Sequence, residues 1–185
     1  MKQLYMRRRG GHIEEYKLQD GYSLEFFDGS KESVNDWLDI CYIGLNPDKS
    51  FARFQNAIMD RPGVKPCEDL FFVVSPEGKR VATTTCIKRP EGIGGVHMVA
   101  ALDEYRGKGI GHFLITKAVN ILADRGFTEM GLTTDDFRLP AIKTYLDAGF
   151  RPYLVHDDES DMVKRWDDVL AKLSYPKVEY YPEEK

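Results

Sequence analysis

The stretch Gly95–Gly126, GVHMVAALDEYRGKGIGHFLITKAVNILADRG, decides the fold. Its apolar run Val96–Leu102 ends at the charged pair Asp103 and Glu104, a pattern that predicts a buried strand. Ile110, Phe113, Leu114, Ala118, Ile121 and Leu122 then recur at helical spacing, and Gly126 stands just past the helix as its C′ residue. Between strand and helix lies Arg106-Gly107-Lys108-Gly109-Ile110-Gly111. Its glycines therefore sit at a helix N-terminus, where backbone N–H groups lack intrahelical acceptors and the helix dipole adds partial positive charge. Main chain alone holds an anion in such a place. Glycine lets a phosphate approach the backbone without a Cβ in the way, and Arg106 and Lys108 add formal charge. The spacing G-x-G-x-G is not the dinucleotide fingerprint G-x-G-x-x-G, and no Gly-Lys-Ser/Thr ending is present. What stands is Arg-x-x-Gly-x-Gly after a strand; the alternative is a glycine turn with no ligand.

Outward from this stretch, Leu70–Val74 and the β-branched, alternating Val81–Ile87 flank a turn at Pro76-Glu77-Gly78-Lys79 and predict a hairpin. Gly92-Ile93-Gly94-Gly95 permits an irregular entry into the strand that follows. Further upstream, Leu4–Arg8 reads as a short edge strand and Tyr22–Phe27 as a better one. Val34, Trp37, Leu38 and Cys41 form an amphipathic helix with Ser30 as N-cap; Phe51, Phe54 and Ile58 form a second, after the break at Asn46-Pro47-Asp48. The aromatic face of that second helix is either core or the wall of a substrate cleft. Downstream come a strand at Glu129–Thr134, a short helix carrying Pro140, Ile142, Tyr145 and Leu146 with Gly149 as C′, and a strand at Phe150–Val155. A last helix follows the acidic run Asp157-Asp158-Glu159, with Met162, Trp166, Val169, Leu170 and Leu173 on one face. Lys177–Tyr181 reads either as a late strand or as a tail. A late strand would offer an edge to a second copy, hence a possible homodimer.

One domain over residues 1–185 is expected from 185 residues, with the core at about 22–155 and a C-terminal helix and tail at 160–185. A formal charge of -4 argues against nucleic acid as a partner. Arg7-Arg8-Arg9 is the local exception, read as a solvated strand end. Cys41, Cys67 and Cys86 are odd in number and form no C-x-x-C pair, so no disulfide frame and no metal site is expected. With no apolar leader and no membrane-spanning run, the expected location is the cytoplasm, with no membrane partner.

The loop Arg106–Gly111, the order of elements and the run Pro140-Ala141-Ile142-Lys143-Thr144-Tyr145-Leu146-Asp147-Ala148-Gly149-Phe150 together resemble the GNAT superfamily of N-acetyltransferases, over roughly Tyr22–Val155. The resemblance implies an α/β (α+β) fold: a central mixed, mostly antiparallel twisted sheet flanked by helices, with a splayed strand pair holding the cofactor. It implies acetyl-CoA as co-substrate and an amine, on a small molecule or a peptide, as acceptor. Arg106, Gly107, Lys108, Gly109, Ile110 and Gly111 would hold the pyrophosphate, and Val99, Ala100 and Ala101 the pantetheine arm. Tyr145, in the family's Ala-x-x-x-Tyr-x-x-x-Gly-Phe pattern, would donate a proton to the departing thiolate. His97 stands where members often place a Glu or His that deprotonates the amine; spacing puts it on the face of Val99, and a histidine bonded inside the sheet is the other reading. Asp135 and Asp136 are the fallback bases. Arg138 replaces an Asn frequent in the family, in reach of a phosphate. No cysteine lies in either motif, so direct attack in a ternary complex is expected. Two other readings keep the fold: a non-catalytic acyl-CoA-binding module, and a transferase using a longer acyl-CoA.

Overall fold

The computed structural model describes residues 2–45, 47–155 and 159–182. Asn46, and Asp157 and Asp158 of the acidic run, lie outside the described residues. The strands are β1 (Leu4–Arg9), β2 (Ser23–Phe26), β3 (Leu70–Val74), β4 (Arg80–Lys88), β5 (Gly94–Ala101), β6 (Glu129–Thr134) and β7 (Arg151–Tyr153). The helices are α1 (Lys31–Gly44), α2 (Phe51–Phe54), α3 (Pro66–Asp69), α4 (Ile110–Asp124), α5 (Leu139–Asp147) and α6 (Glu159–Leu173). All seven strands form one sheet in the order β2-β3-β4-β5-β6-β1-β7. Every neighbouring pair is antiparallel except β5 and β6, which run parallel.

Local chemistry explains the element ends. Ser30 caps α1, its hydroxyl accepting from Ser33 N–H at 3.1 Å. α4 and α5 stop in the same way: Gly126 and Gly149 adopt positive φ, and Phe127 and Phe150 donate back to Leu122 and Tyr145 at 3.1 and 3.0 Å. Phe54 and Ile58 are fully buried, and Phe54 meets Trp37 edge-on at 5.2 Å, so this part of the face is core, whereas Phe51 is exposed. The second helix is not uniform: after α2 it widens into a π-turn at Gln55–Met59, closed by Asp60 N–H to Gln55 O at 2.8 Å.

β1 is the largest departure from expectation. It is not an edge but lies between β6 and β7, pairing with both. Leu4, Met6 and Arg8 face inward, and Arg8 is buried rather than solvated. Its guanidinium donates to Ala148 O at 3.1 Å and to Gly10 O and Gly11 O at 2.9 Å, which satisfies a charge that would otherwise be costly to bury. Arg7 and Arg9, on the other face, lie over the rings of Tyr153 and Tyr181. Lys177–Tyr181 forms no strand. Tyr181 N–H donates to Pro152 O at 2.7 Å, so the tail lies along β7 and the late-strand argument for a homodimer loses its premise.

Two features of β5 position the site. Its parallel ladder with β6 holds only Gly94↔Met130 and Gly95↔Gly131, after which the two strands are no longer paired. On the other side β4 pairs Thr85 with His97 and Thr83 with Ala100, so one extra residue of β5 is bulged between them. Met98, in the bulge, has φ 56, a left-handed conformation that side chains with a Cβ rarely adopt. Thr83 and Thr85 share a face of β4, so His97 shares a face with Ala100. The alternation that placed it with Val99 is broken.

Candidate active site

A cleft of about 390 Å³ opens where β5 and β6 part. His97 and Val99 line it from β5, Thr133, Thr134 and Asp135 from β6 and its end, and Tyr145 and Arg138 from α5 and its cap. Arg53, from α2, completes the wall. Thus His97, Val99, Arg138 and Tyr145 line one cleft. Ala100 and Ala101 continue β5 away from the cleft, and the loop Arg106–Gly111 lies beyond them. A larger hollow, about 730 Å³, sits between the N-terminal arm, α4 and the end of α5, and contains none of the expected site residues.

The loop is built by backbone. Gly107 and Gly109 adopt φ 74 and 79, which only glycine takes without strain. Gly109 is the N-cap of α4 and no side chain caps that helix, so its first N–H groups face outward without a side-chain acceptor. The formal charges are engaged elsewhere: Arg106 pairs with Asp103 at 2.8 Å, and Lys108 lies over the Tyr105 ring at 4.7 Å. From Val96 onward the β6-facing edge of β5 has no strand partner. An uncapped helix start and an unpaired strand edge fit a long ligand with an anion at one end and amides along its arm, which is the chemistry of a CoA ester.

The titratable groups at the cleft are shifted by burial. The Tyr145 phenol is pushed up to about 12, chiefly by desolvation, with Arg138 opposing, so it stays protonated near neutrality. Its hydroxyl makes no hydrogen bond within the described residues. His97 is lowered to about 4, first by burial and then by Arg61, with Arg89 and Arg53 adding to the effect and the backbone of buried Ala57 opposing it. Nε2 is buried with no hydrogen-bond partner among the described residues. Asp135 is held by Arg138 at 2.8 Å and Asp136 by Arg165 at 2.6 Å. Both fallback carboxylates are therefore tied up. The Arg165 hydrogen bond holds Asp136 below the usual carboxylate range, which weakens it as a base.

Sequence reasoning missed the N-terminal arm. Between β1 and β2 it runs along α4, where Asn120 exchanges two hydrogen bonds with the Ile13 backbone at 2.9 and 3.0 Å and Thr116 Oγ1 accepts from Tyr16 N–H at 3.0 Å. The Tyr16 ring then lies against Gly109, where any Cβ would fall 2.4 Å from it. Gly109 is thus fixed by a packing partner as well as by its φ. Polar residues such as Asn120 and Thr116 inside an apolar helical run are the signal that α4 receives a backbone on that face.

An open mixed sheet that parts beside a glycine loop, with a buried tyrosine in the gap, is the fold the comparisons share. The chain belongs to the acetyltransferase (GNAT) family, whose family model matches residues 31–150. It is 27% identical over 183 residues to an uncharacterized N-acetyltransferase of Methanocaldococcus jannaschii, covering 91% of this chain and 75% of that protein. In structure it resembles a GCN5-related N-acetyltransferase from Sphaerobacter thermophilus, with TM-score 0.66 and 18% identity over 81% of this chain and 48% of that one. It also resembles a GNAT-family acetyltransferase from Colwellia psychrerythraea, with TM-score 0.60 and 17% identity over 82% of this chain and 53% of that one. The chain therefore spans about half the length of these solved structures. Among the described residues no helix is long and apolar enough to cross a membrane, and no group of three or more metal-ligating side chains occurs.

Proposed function

We propose that the protein transfers an acetyl group from acetyl-CoA to a primary amine by direct attack in a ternary complex. The observation that carries this reading is the convergence of Tyr145 and His97 on one cleft that begins where the β5–β6 ladder ends. Acetyl-CoA, when bound, supplies a thioester carbonyl as electrophile and a thiolate as leaving group. The α4 N-terminus and the Arg106–Gly111 loop bind its pyrophosphate, and the unpaired edge of β5 from Val96 to Ala101 aligns its amide arm. The amine nitrogen forms the new bond to the carbonyl carbon, the carbon–sulfur bond breaks, the amine loses one proton, and the thiolate gains one.

Magnitudes assign the residues their roles. A thiol near pKa 8.5 is far more acidic than Tyr145 at about 12, so full proton transfer from Tyr145 is uphill. Tyr145 therefore acts first as a hydrogen-bond donor to the developing thiolate, and the proton is replaced from water. His97 at about 4 is too weak to take a proton from a free alkylammonium of pKa about 10, so the amine enters neutral. His97 accepts only the proton released as the nitrogen–carbon bond forms, when that nitrogen is strongly acidic. No cysteine lines the cleft, in keeping with direct attack. The test is thiol release from acetyl-CoA across an amine panel, with CoA-dependent thermal stabilisation run alongside. Stabilisation with acceptor-dependent thiol release supports the reading; stabilisation with no release from any amine would instead identify a non-catalytic acyl-CoA-binding module.

A further inference from the structure

The chain as a whole is acidic, with 26 Lys and Arg against 30 Asp and Glu, yet the ground around His97 is cationic. Arg53, Arg61 and Arg89 all act on the His97 ring through space. Elsewhere arginines are paired with acids: Arg80 with Glu25, Asp28 and Asp36, Arg125 with Asp69, Arg165 with Asp136 and Asp161. No carboxylate of a described residue forms an ion pair with Arg53, Arg61 or Arg89; Glu91 acts on Arg89, and Asp48 on Arg53, only through space. Arg53 makes one contact, Nη2 to the Met98 sulfur at 3.8 Å, and the side chain of Arg89 passes over Gly95 on the face of β5 that carries His97.

The buried polar atoms point the same way. Arg53 Nε, Arg89 Nε, His97 Nε2, Thr85 Oγ1 and Thr134 Oγ1 are all buried without a hydrogen-bond partner among the described residues. Thr85 pairs with His97 across the β4–β5 ladder, and Thr134 lines the cleft. Buried orphans of this kind are rare in folded proteins and destabilising; those of Arg53, His97 and Thr134 line the cleft, and those of Arg89 and Thr85 lie beside it on the sheet face of His97, which marks a place that a polar ligand completes. The acids that a cationic acceptor would need are engaged, Asp135 by Arg138 and Asp136 by Arg165.

We propose that the acceptor is an anionic amine, a small molecule carrying a carboxylate or phosphate as well as its amino group, and that Arg53 and Arg89 bind the acid group. This rests on the acetyl-transfer reading above and narrows its substrate. The arrangement serves the chemistry too. Guanidinium groups that attract the acid group also repel an ammonium, so the bound amine sheds its proton before attack and His97 need not remove it. Diamines and polyamines, which carry only positive charge, are excluded by the same field.

The test compares acid with amide at equilibrium. N-acetyl amino acids with small, acidic, basic and aromatic side chains are titrated against the CoA-saturated protein and the free protein, each beside its own carboxamide. N-acetyl-phosphoethanolamine is set beside N-acetylethanolamine as the phosphate arm. At least one acid should bind about tenfold or more tighter than its neutral partner, the range of one charge-assisted hydrogen bond. Arg53→Gln and Arg89→Gln should each shrink that ratio while leaving acetyl-CoA affinity unchanged. Equal binding of acid and amide, preference for the amide, binding of neither member of any pair, or variants that weaken CoA and spare the ratio would each overturn the inference. Thiol release measured in parallel separates the two proposals: acid preference without turnover removes the transferase reading and leaves the anion site standing.

Discussion

The two ends of β5 present polar groups of opposite kinds. Past its C-terminal end, the Arg106–Gly111 loop offers backbone N–H groups, while its own cations are occupied by Asp103 and Tyr105. Around its middle, beside His97, the charged groups are side chains, and among the described residues neither Arg53 nor Arg89 forms an ion pair, Asp48 and Glu91 acting on them only through space. A main-chain site binds whatever presents a phosphate and has no side chain to substitute, which suits a co-substrate common to many enzymes. A side-chain site changes with each arginine gained or lost, which suits an acceptor that differs from enzyme to enzyme. The difference teaches that two kinds of recognition can share one strand because they draw on different atoms of it, backbone at one end and side chains at the middle.

The sharpest way to break this comparison is at Tyr145, the cleft residue proposed to act on the departing thiolate of the donor. Tyr145→Phe removes only a hydroxyl from a helix whose packing is otherwise kept, so turnover should fall about 10²-fold or more while acetyl-CoA and acceptor affinities hold, as expected for a group acting in the transition state. Steady-state kinetics with ligand titrations checks it. A loss confined to acetyl-CoA affinity would move Tyr145 from catalysis to binding.

His97 tests the acceptor half through stability. Its imidazole sits at about 4 in the folded chain against about 6.5 when unfolded, so the unfolded state binds the extra proton first. Folding stability from this group is fully present above pH 6.5 and is lost as pH falls through 4. Urea unfolding of the wild type and His97→Gln should therefore show a difference that shrinks by about 2 to 3 kcal/mol between pH 7 and pH 4, the lower figure allowing for partial exposure. Parallel curves would mean that the ring is solvated and that the cationic surroundings do not reach it.

At Gly109 the main-chain site is tested directly. Gly109→Ala places a Cβ at positive φ and within 2.4 Å of the Tyr16 ring, and should cost about 1 to 2 kcal/mol of stability, with weaker acetyl-CoA binding. Pairing it with Tyr16→Ala relieves the clash and leaves the φ strain, so partial recovery is expected in thermal unfolding. Full recovery would show that the backbone conformation itself is unimportant.

These two sites also explain what was legible in the sequence. The loop, the hairpin before it and the Tyr145 helix are each contiguous, with glycines, turn residues and periodicity that act locally, and each forms as read. The acceptor cleft is assembled from Arg53, His97, Thr134 and Tyr145, on four separate segments, and no local pattern relates them. The edge strand expected at Leu4–Arg8 and the solvated end expected at Arg7-Arg8-Arg9 both fail because composition shows neither the carbonyls that receive Arg8 nor the gap between β6 and β7 that the strand fills. The bulge at Met98 was invisible for a related reason. Its sequence keeps a strand-like run, and only pairing with Thr83 and Thr85 reveals the extra residue.

That bulge gives the smallest effect and the finest comparison, because the described residues contain one other non-glycine at positive φ. Ser174, φ 49, closes α6 by the same motif that ends α4 and α5, with Tyr175 N–H donating to Leu170 O at 3.0 Å. It is exposed and far in sequence from every cleft residue, so its strain has no use there. Ser174→Gly should raise stability by about 0.5 to 1 kcal/mol, measured by thermal unfolding, with turnover unchanged. Met98→Gly relieves the same strain but loosens the segment that aims His97 and gives up the contact to Arg53, so acceptor KM should rise several-fold. Strain kept at Ser174 is a tolerated cost at a helix end; strain kept at Met98 sets the register by which His97 and Ala100 share a face. If both glycine variants gained stability and neither touched the kinetics, the bulge would be packing alone, and the acceptor half of β5 would owe its selectivity entirely to its arginines.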